Sequence, residues 1–364
     1  MTRLLLAMGT FVGTERNQIA AMASESAFEV HFEHEPILAA RWLEHHDVHA
    51  MLLEGDASVS ESFAIERRSE SRSATIPILF LVNSAADLRF AEALASGADD
   101  VVERRDWDQL RSRLRHLPKE AITLPDATRG SVLIGESEHA RRVLSGRVLR
   151  NAGYSVGFTV DAEGLKRQVT AECLGVVVAN LTLAGDPREL VTAARAANNE
   201  AQFIFTSPPR EIRKYREALS DLTGVTITDA YAPAENVLFV ANELSRPRGV
   251  DHRASARILY GTSVAFRGAG RSVDDFGYTY NVSGGGIYVR TLAPPDDNLV
   301  WIELTPPRCD RRVRLVGRVA WRRGLAQGQY ATVPPGFGLE VVDGAQMDLT
   351  AWREGYQAFV TDLQ

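Results

Sequence analysis

Two short runs in the last third of the chain carry residue types suited to ligand chemistry. Arg253-Ala254-Ser255-Ala256-Arg257 places two guanidinium groups four positions apart. Further on, Asn281-Val282-Ser283-Gly284-Gly285-Gly286 sets an amide and a hydroxyl beside a run of glycines. An arginine fork can grip a phosphate bidentately, hydrogen-bond to a base edge and lay its plane on a base, whereas lysine does only the first of these well. Each run alone is weak, since two arginines four apart usually mark a solvated face. Their order and their strand-rich setting make the pair informative.

The remaining chemistry-bearing residues point away from catalysis. The sequence has no phosphate-binding loop, no nucleophile elbow, no Cys/His pair and no clustered metal ligands, so neither an enzyme nor a cofactor is expected. His45, His46 and His49 gather near one helix end but lack a fourth ligand, and they read as surface residues. The two cysteines, Cys173 and Cys309, fall in different domains, which excludes a disulfide framework and fits a reducing cytoplasm. The apolar stretch 4–8 reads as a first β-strand rather than a signal peptide. No run approaches the ~20 apolar residues of a membrane helix, and neither membrane insertion nor nucleic-acid binding is expected. Residues 1–245 hold 26 Lys+Arg against 35 Asp+Glu, a net of −9, and residues 246–364 hold 15 against 12, a net of +3. The C-terminal part is therefore where an anionic ligand, if there is one, is expected.

The elements that must position these residues fall into three sets. Strands at 4–8, 28–32, 48–53, 76–82 and 100–102 alternate with helices near 15–25, 35–46, 58–70, 85–96 and 106–116. That alternation predicts a doubly wound parallel sheet, because parallel strands need crossover helices. The same grammar restarts with strands at 131–134, 154–158, 175–179, 202–205 and 225–228, and helices near 138–152, 162–172, 187–199, 209–222 and 234–244. After residue 249 strand-length runs dominate, at 256–260, 277–282, 287–291, 300–304, 313–321 and 337–342, followed by an amphipathic helix at 347–363. The reading is two flavodoxin-like α/β domains, 1–120 and 128–246, then an antiparallel β-barrel with a C-terminal helix, 250–364.

Residues 76–105 resemble the fourth strand, fourth helix and fifth strand of a response-regulator receiver domain, and residues 131–156 resemble the opening of another. Such a domain phosphorylates an Asp at the end of its third strand with Mg²⁺ held by acidic residues after the first. By that resemblance the first unit has Glu54 at the acceptor position, Arg104 at the lysine position and no carboxylate after Met8. The second keeps Glu136, Glu138 and Thr206 but has Asn180 as acceptor and Ala232 near the lysine position. Both resemble degenerate receivers, pseudo-receivers suited to protein contacts. Glu54 reads as a solvated strand-end carboxylate, with mimicry of a phosphorylated Asp as the sharper alternative.

The paired runs R-x-x-x-R and N-x-S-x-x-G, with Val316-Gly317-Arg318-Val319-Ala320-Trp321 and Gly336-Phe337-Gly338-Leu339-Glu340 behind them, resemble the signature of PilZ domains. The resemblance implies cyclic di-GMP as ligand, with Arg253 and Arg257 clamping it, Asn281 and Ser283 contacting guanine and phosphate, and Gly286 allowing a backbone conformation or close approach. Asn281 in place of Asp offers guanine one acceptor oxygen rather than two, so modest affinity is expected. His252, just before the first run, does not decide between one and two bound ligand molecules. The function expected is a cyclic di-GMP signalling effector whose degenerate receivers meet an unidentified protein partner. The alternative is a protein-interaction scaffold, for example in bacterial motility or polarity, whose PilZ domain no longer binds nucleotide. Because the arginine run is also the connection between domains, its ordering by ligand is expected to constrain their junction.

Overall fold

A computed structural model of the chain describes residues 3–55, 58–70, 72–84, 86–120, 122–123, 126–245, 255–325 and 331–363. The first unit runs β1 (Arg3–Met8), α1 (Gly13–Glu25), β2 (Phe28–Glu33), α2 (Pro36–His45), β3 (Val48–Glu54), α3 (Ser58–Ser69), β4 (Ile78–Val82), α4 (Asp87–Ala95), β5 (Asp100–Glu103) and α5 (Trp107–His116). Its strands pair in parallel in the order β2-β1-β3-β4-β5. Consecutive residues such as Leu5 and Leu6, Leu52 and Leu53, or Leu79 and Phe80 are all buried. Helices on both faces of a parallel sheet leave its central strands no wet side.

The second unit repeats the pattern with β6 (Ser131–Gly135), α6 (His139–Asn151), β7 (Ser155–Thr159), α7 (Ala162–Ala171), β8 (Val176–Asn180), α8 (Leu181–Ala184), α9 (Pro187–Ala196), β9 (Gln202–Ser207), α10 (Pro209–Leu219), β10 (Val225–Asp229) and α11 (Glu235–Leu244). Its sheet order, β10-β9-β8-β6-β7, is that of the first unit read from the other edge. The single turn α8 was not anticipated. Asn180 caps it, accepting from the Thr182 N–H at 2.9 Å.

The third unit comprises β11 (Ile258–Leu259), β12 (Ser263–Gly268), β13 (Asp275–Ser283), β14 (Gly286–Arg290), β15 (Leu299–Leu304), β16 (Val313–Arg323), β17 (Gly336–Gly344) and α12 (Gln346–Leu363). Six strands close in the order β13-β12-β15-β16-β17-β14, with β14 returning to β13, and β11 adds to β13 from outside the ring. Closure removes the exposed edges of an antiparallel sheet. Phe266, Val289, Ile302, Leu315 and Phe337 fill the interior, and α12 packs Trp352 and Tyr356 onto it. The strand expected at 256–260 shrinks to two residues. The strand β12, which the sequence reading passed over, takes up the pairing instead: its alternation is short and ends in Gly268-Ala269-Gly270.

The three units are docked through buried charge. Asp99 immediately precedes β5 and Asp100 opens it, and the two side chains reach different partners. Asp99 accepts from Arg68 Nη2 at 2.7 Å in its own unit and from Arg147 Nη2 at 2.8 Å in the second. Asp100 accepts from Arg113 Nε at 2.8 Å and from the Leu292 N–H of the barrel at 2.7 Å. Arg113 in turn donates to both oxygens of the barrel's Asp275 at 2.6 Å. Glu235 of the second unit pairs with the barrel's Arg290 at 3.1 Å. Gly97 has φ +92°, and a Cβ there would stand 2.7 Å from Leu144 of the second unit, so both its conformation and its neighbour demand glycine.

Candidate functional site

The Asn281–Gly286 run folds as the tip of the β13–β14 hairpin. Ser283 pairs with Gly286 in register and Gly284-Gly285 form a two-residue turn, for which small residues are the usual choice. A Cβ on Gly286 would lie 2.8 Å from the Leu339 carbonyl oxygen of β17, so glycine is required by close approach rather than by an unusual φ. Gly284 is held on both sides: its N–H donates to Ser255 Oγ at 3.1 Å, and its carbonyl accepts from Trp352 Nε1 at 3.3 Å. Tyr356 donates its hydroxyl to the Ala256 carbonyl at 2.7 Å. The stretch leading to Arg257 is thus pinned between hairpin and C-terminal helix.

Arg257, exposed just before β11, lines a cleft of about 190 Å³ with Asn281, Ser283, Gly286, Trp321 and Glu340. The structure therefore brings four of the five site residues read from the sequence together. The fifth, Arg253, lies outside the described residues, as do His252 and the rest of 246–254. Asn281 is 7% exposed and makes no side-chain hydrogen bond among the described residues. Its side-chain oxygen and nitrogen keep accessible surface, so the amide is open to the cleft. Trp321 is the residue that sequence reasoning left without a role. Its ring is 37% exposed, stacks on buried Tyr288 with centroids 4.8 Å apart, and lies over Gly338, where a Cβ would stand 2.4 Å from its Nε1. The signal was present in the Trp321 and Gly338 pair, but only the β16–β17 register shows them adjacent. The cleft thus offers an exposed guanidinium, an unpaired amide and a free aromatic face, which suits an anionic ligand with a planar ring.

The pseudo-receiver positions are occupied by internal partners. Glu54 is not a solvated strand-end residue, which corrects that expectation. It is 16% exposed and accepts from the Thr10 N–H at 2.9 Å, Thr10 Oγ1 at 2.7 Å and Arg104 Nη1 at 2.9 Å, and Arg104 Nε also meets Glu15 at 2.7 Å. Burial works to raise the Glu54 pKa, but the Thr10 and Arg104 contacts hold it below the ordinary carboxylate value. In the second unit Arg141 Nε reaches Glu136 at 3.0 Å, Asn180 Nδ2 donates to the same carboxylate at 2.9 Å, and Glu138 caps α6 by accepting from the Ala140 and Arg141 N–H groups. Guanidinium groups thus stand against the acids that a metal would need. Among the described residues no cluster of His, Cys, Asp and Glu could hold a metal ion. His46 and His31 instead sandwich Trp42, each with centroids 4.2 Å away. Acetyl phosphate with Mg²⁺ is accordingly expected to label neither unit; phosphate found by mass spectrometry on Glu54, Asp56 or any residue near Asn180 would count against this.

No family profile matches the chain, and no curated protein matches it. Among solved structures, it is similar to the chemotaxis response regulator CheY4 of Vibrio cholerae, at 16% identity and TM-score 0.29, over 31% of this chain and 99% of that one. It is similar to the PilZ domain of CeSA from a cellulose-synthesizing bacterium at 21% identity and TM-score 0.22, over 30% of this chain and 98% of that one. A probable two-component system response regulator/GGDEF domain protein aligns at 15% identity and TM-score 0.29, over 67% of this chain and 100% of that one. Among the described residues no helix is long and apolar enough to cross a membrane.

Proposed function

We propose that the chain is a cytoplasmic cyclic di-GMP effector, built as pseudo-receivers at 1–120 and 128–246 and a PilZ barrel at 250–364. The observation that carries the reading is Asn281, whose amide makes no hydrogen bond among the described residues and opens onto the cleft that Arg257 and Trp321 also line. In this reading Arg257 and Arg253 take the phosphodiesters, Asn281 and Ser283 the guanine edge and a phosphate oxygen, and Trp321 a guanine face. Gly286 keeps the hairpin tight against β17. No catalytic step is part of the proposal, and no cofactor beyond the nucleotide. The two α/β units meet a protein partner through faces other than α4, β5 and α5 of the first unit, because the barrel covers that side: Asp87 accepts from the Ser263 N–H at 2.5 Å, and Phe90 stacks on Tyr278.

Calorimetric titration of the full chain with cyclic di-GMP tests this directly and separates it from the nucleotide-free scaffold reading. Saturable binding is expected. Arg257→Ala and Arg253→Ala should each weaken it by roughly ten- to a hundredfold, the loss of a charge-assisted contact of about 1.5 to 3 kcal/mol. Both variants should remain folded, and parental affinity in both would remove these arginines from the site.

A further inference from the structure

The cleft shares a wall with the junction between the units. Residues 331–335, which lead into β17, place Val333 in the cleft beside Trp321 and Asn281. Val333 also borders a separate cavity of about 60 Å³ lined by Asp99, Arg147, Glu235, Arg323 and Leu325. The same segment is fastened on two sides. Toward the second unit, the Ala331 N–H donates to the Asn151 carbonyl at the end of α6, and Asn242 Nδ2 on α11 donates to the Thr332 carbonyl, both at 2.8 Å. Toward the barrel, the Pro334 carbonyl accepts from the hydroxyl of Tyr288, the residue beneath Trp321, and the Pro335 carbonyl accepts from the Thr291 N–H at 3.2 Å.

We propose that residues 331–335 form a relay that reports occupancy of the cleft to helices α6 and α11 of the second unit. The inference rests on the ligand reading above and adds its regulation. A ligand stacked on Trp321 meets Val333 and acts on Tyr288 through the ring stack, and both touch the relay. Two consecutive prolines, Pro334 and Pro335, fix φ on the barrel side, so a displacement at Val333 is passed along rather than absorbed locally. The small cavity behind Val333 gives the segment somewhere to move. Asn242 cannot follow freely, because its Oδ1 accepts from Arg129 Nη2 at 2.9 Å. A ligand shifts such an arrangement only by its differential affinity for the two positions, so a graded response is expected rather than an all-or-none switch.

Hydrogen exchange on the full chain, with cyclic di-GMP as the probe and saturation checked by calorimetry, tests the relay. Exchange at amides 147–152 and 238–245 is expected to change by about fivefold or more on saturation, although these residues lie outside the cleft. Asn242→Asp keeps the Arg129 contact but can no longer donate to Thr332. It should bind ligand as the parent does and lose the response at 238–245. Binding with exchange changes confined to the barrel would overturn the relay and leave the ligand reading standing, as would an unaltered remote response in Asn242→Asp. Absence of any binding heat would overturn both.

Discussion

Arg113→Ala is expected to destabilise the folded chain by about 3 to 5 kcal/mol, the usual loss when one partner of a buried ion pair is removed. Arg113 has no exposed side-chain surface and divides its donors between Asp100 of its own unit and Asp275 of the barrel, with a further bond to the Phe276 carbonyl. Truncation leaves two carboxylates in the same dry interface without a cation. Lysine should recover little, since one ammonium cannot fork to both acids. Urea unfolding followed by tryptophan fluorescence reports the two sides of this contact, because Trp42 and Trp107 lie in the first unit and Trp301, Trp321 and Trp352 in the barrel. A variant with the parental midpoint would show that the buried network contributes nothing net. Asp275→Ala should cost less in the Arg113→Ala background than alone, as coupled partners do.

Reading this sequence locally was enough for the parts whose physics is local. Both parallel sheets declare themselves through apolar strand runs such as Ile78-Leu79-Phe80-Leu81-Val82 in the first and Val176-Val177-Val178-Ala179 in the second, which only a sheet covered on both faces can bury. The hairpin carrying Asn281, Ser283 and Gly286 was legible because two strand-like runs flank a pair of turn glycines. The strand β12 was not, since Ser263–Gly268 offers only Val264 and Phe266 as inward residues. The docking was invisible. Asp87, Asp99, Arg113 and Asp275 look like ordinary surface charges in sequence, and Arg113 meets Asp275 across 162 positions. Glu54 shows the same limit at closer range: its place at a strand end was clear, but that Arg104 and Thr10 would immobilise it depends on how the segments after β5 and β1 converge on the end of β3.

The adjacent aspartates should respond to pH with opposite slopes when each is replaced by asparagine. Burial works to raise the Asp99 pKa, but Arg68 and Arg147 outweigh it and hold the group well below the ordinary carboxylate range. Its folded pKa lies under its unfolded value of about 3.9, so the stability it supplies is fully present above that value and is lost as pH falls toward the folded pKa. Asp100 is the reverse case: burial dominates, and its pKa stays raised despite Arg113 and the Leu292 N–H. Folding therefore favours its protonated form, and its ionisation costs stability as pH rises through the raised pKa. At pH 7 Asp99→Asn should cost about 3 to 5 kcal/mol, because two buried guanidinium groups lose the carboxylate they both pair with. Asp100→Asn should cost less, about 1 to 3 kcal/mol, because Arg113 keeps Asp275. Urea midpoints measured from about pH 3 to 7 should show the Asp99→Asn deficit growing as pH rises through about 4. Over the interval in which Asp100 ionises in the folded protein, the Asp100→Asn deficit should shrink. Two deficits that move in the same direction would mean that these neighbours share one electrostatic environment, contrary to their separate sets of partners.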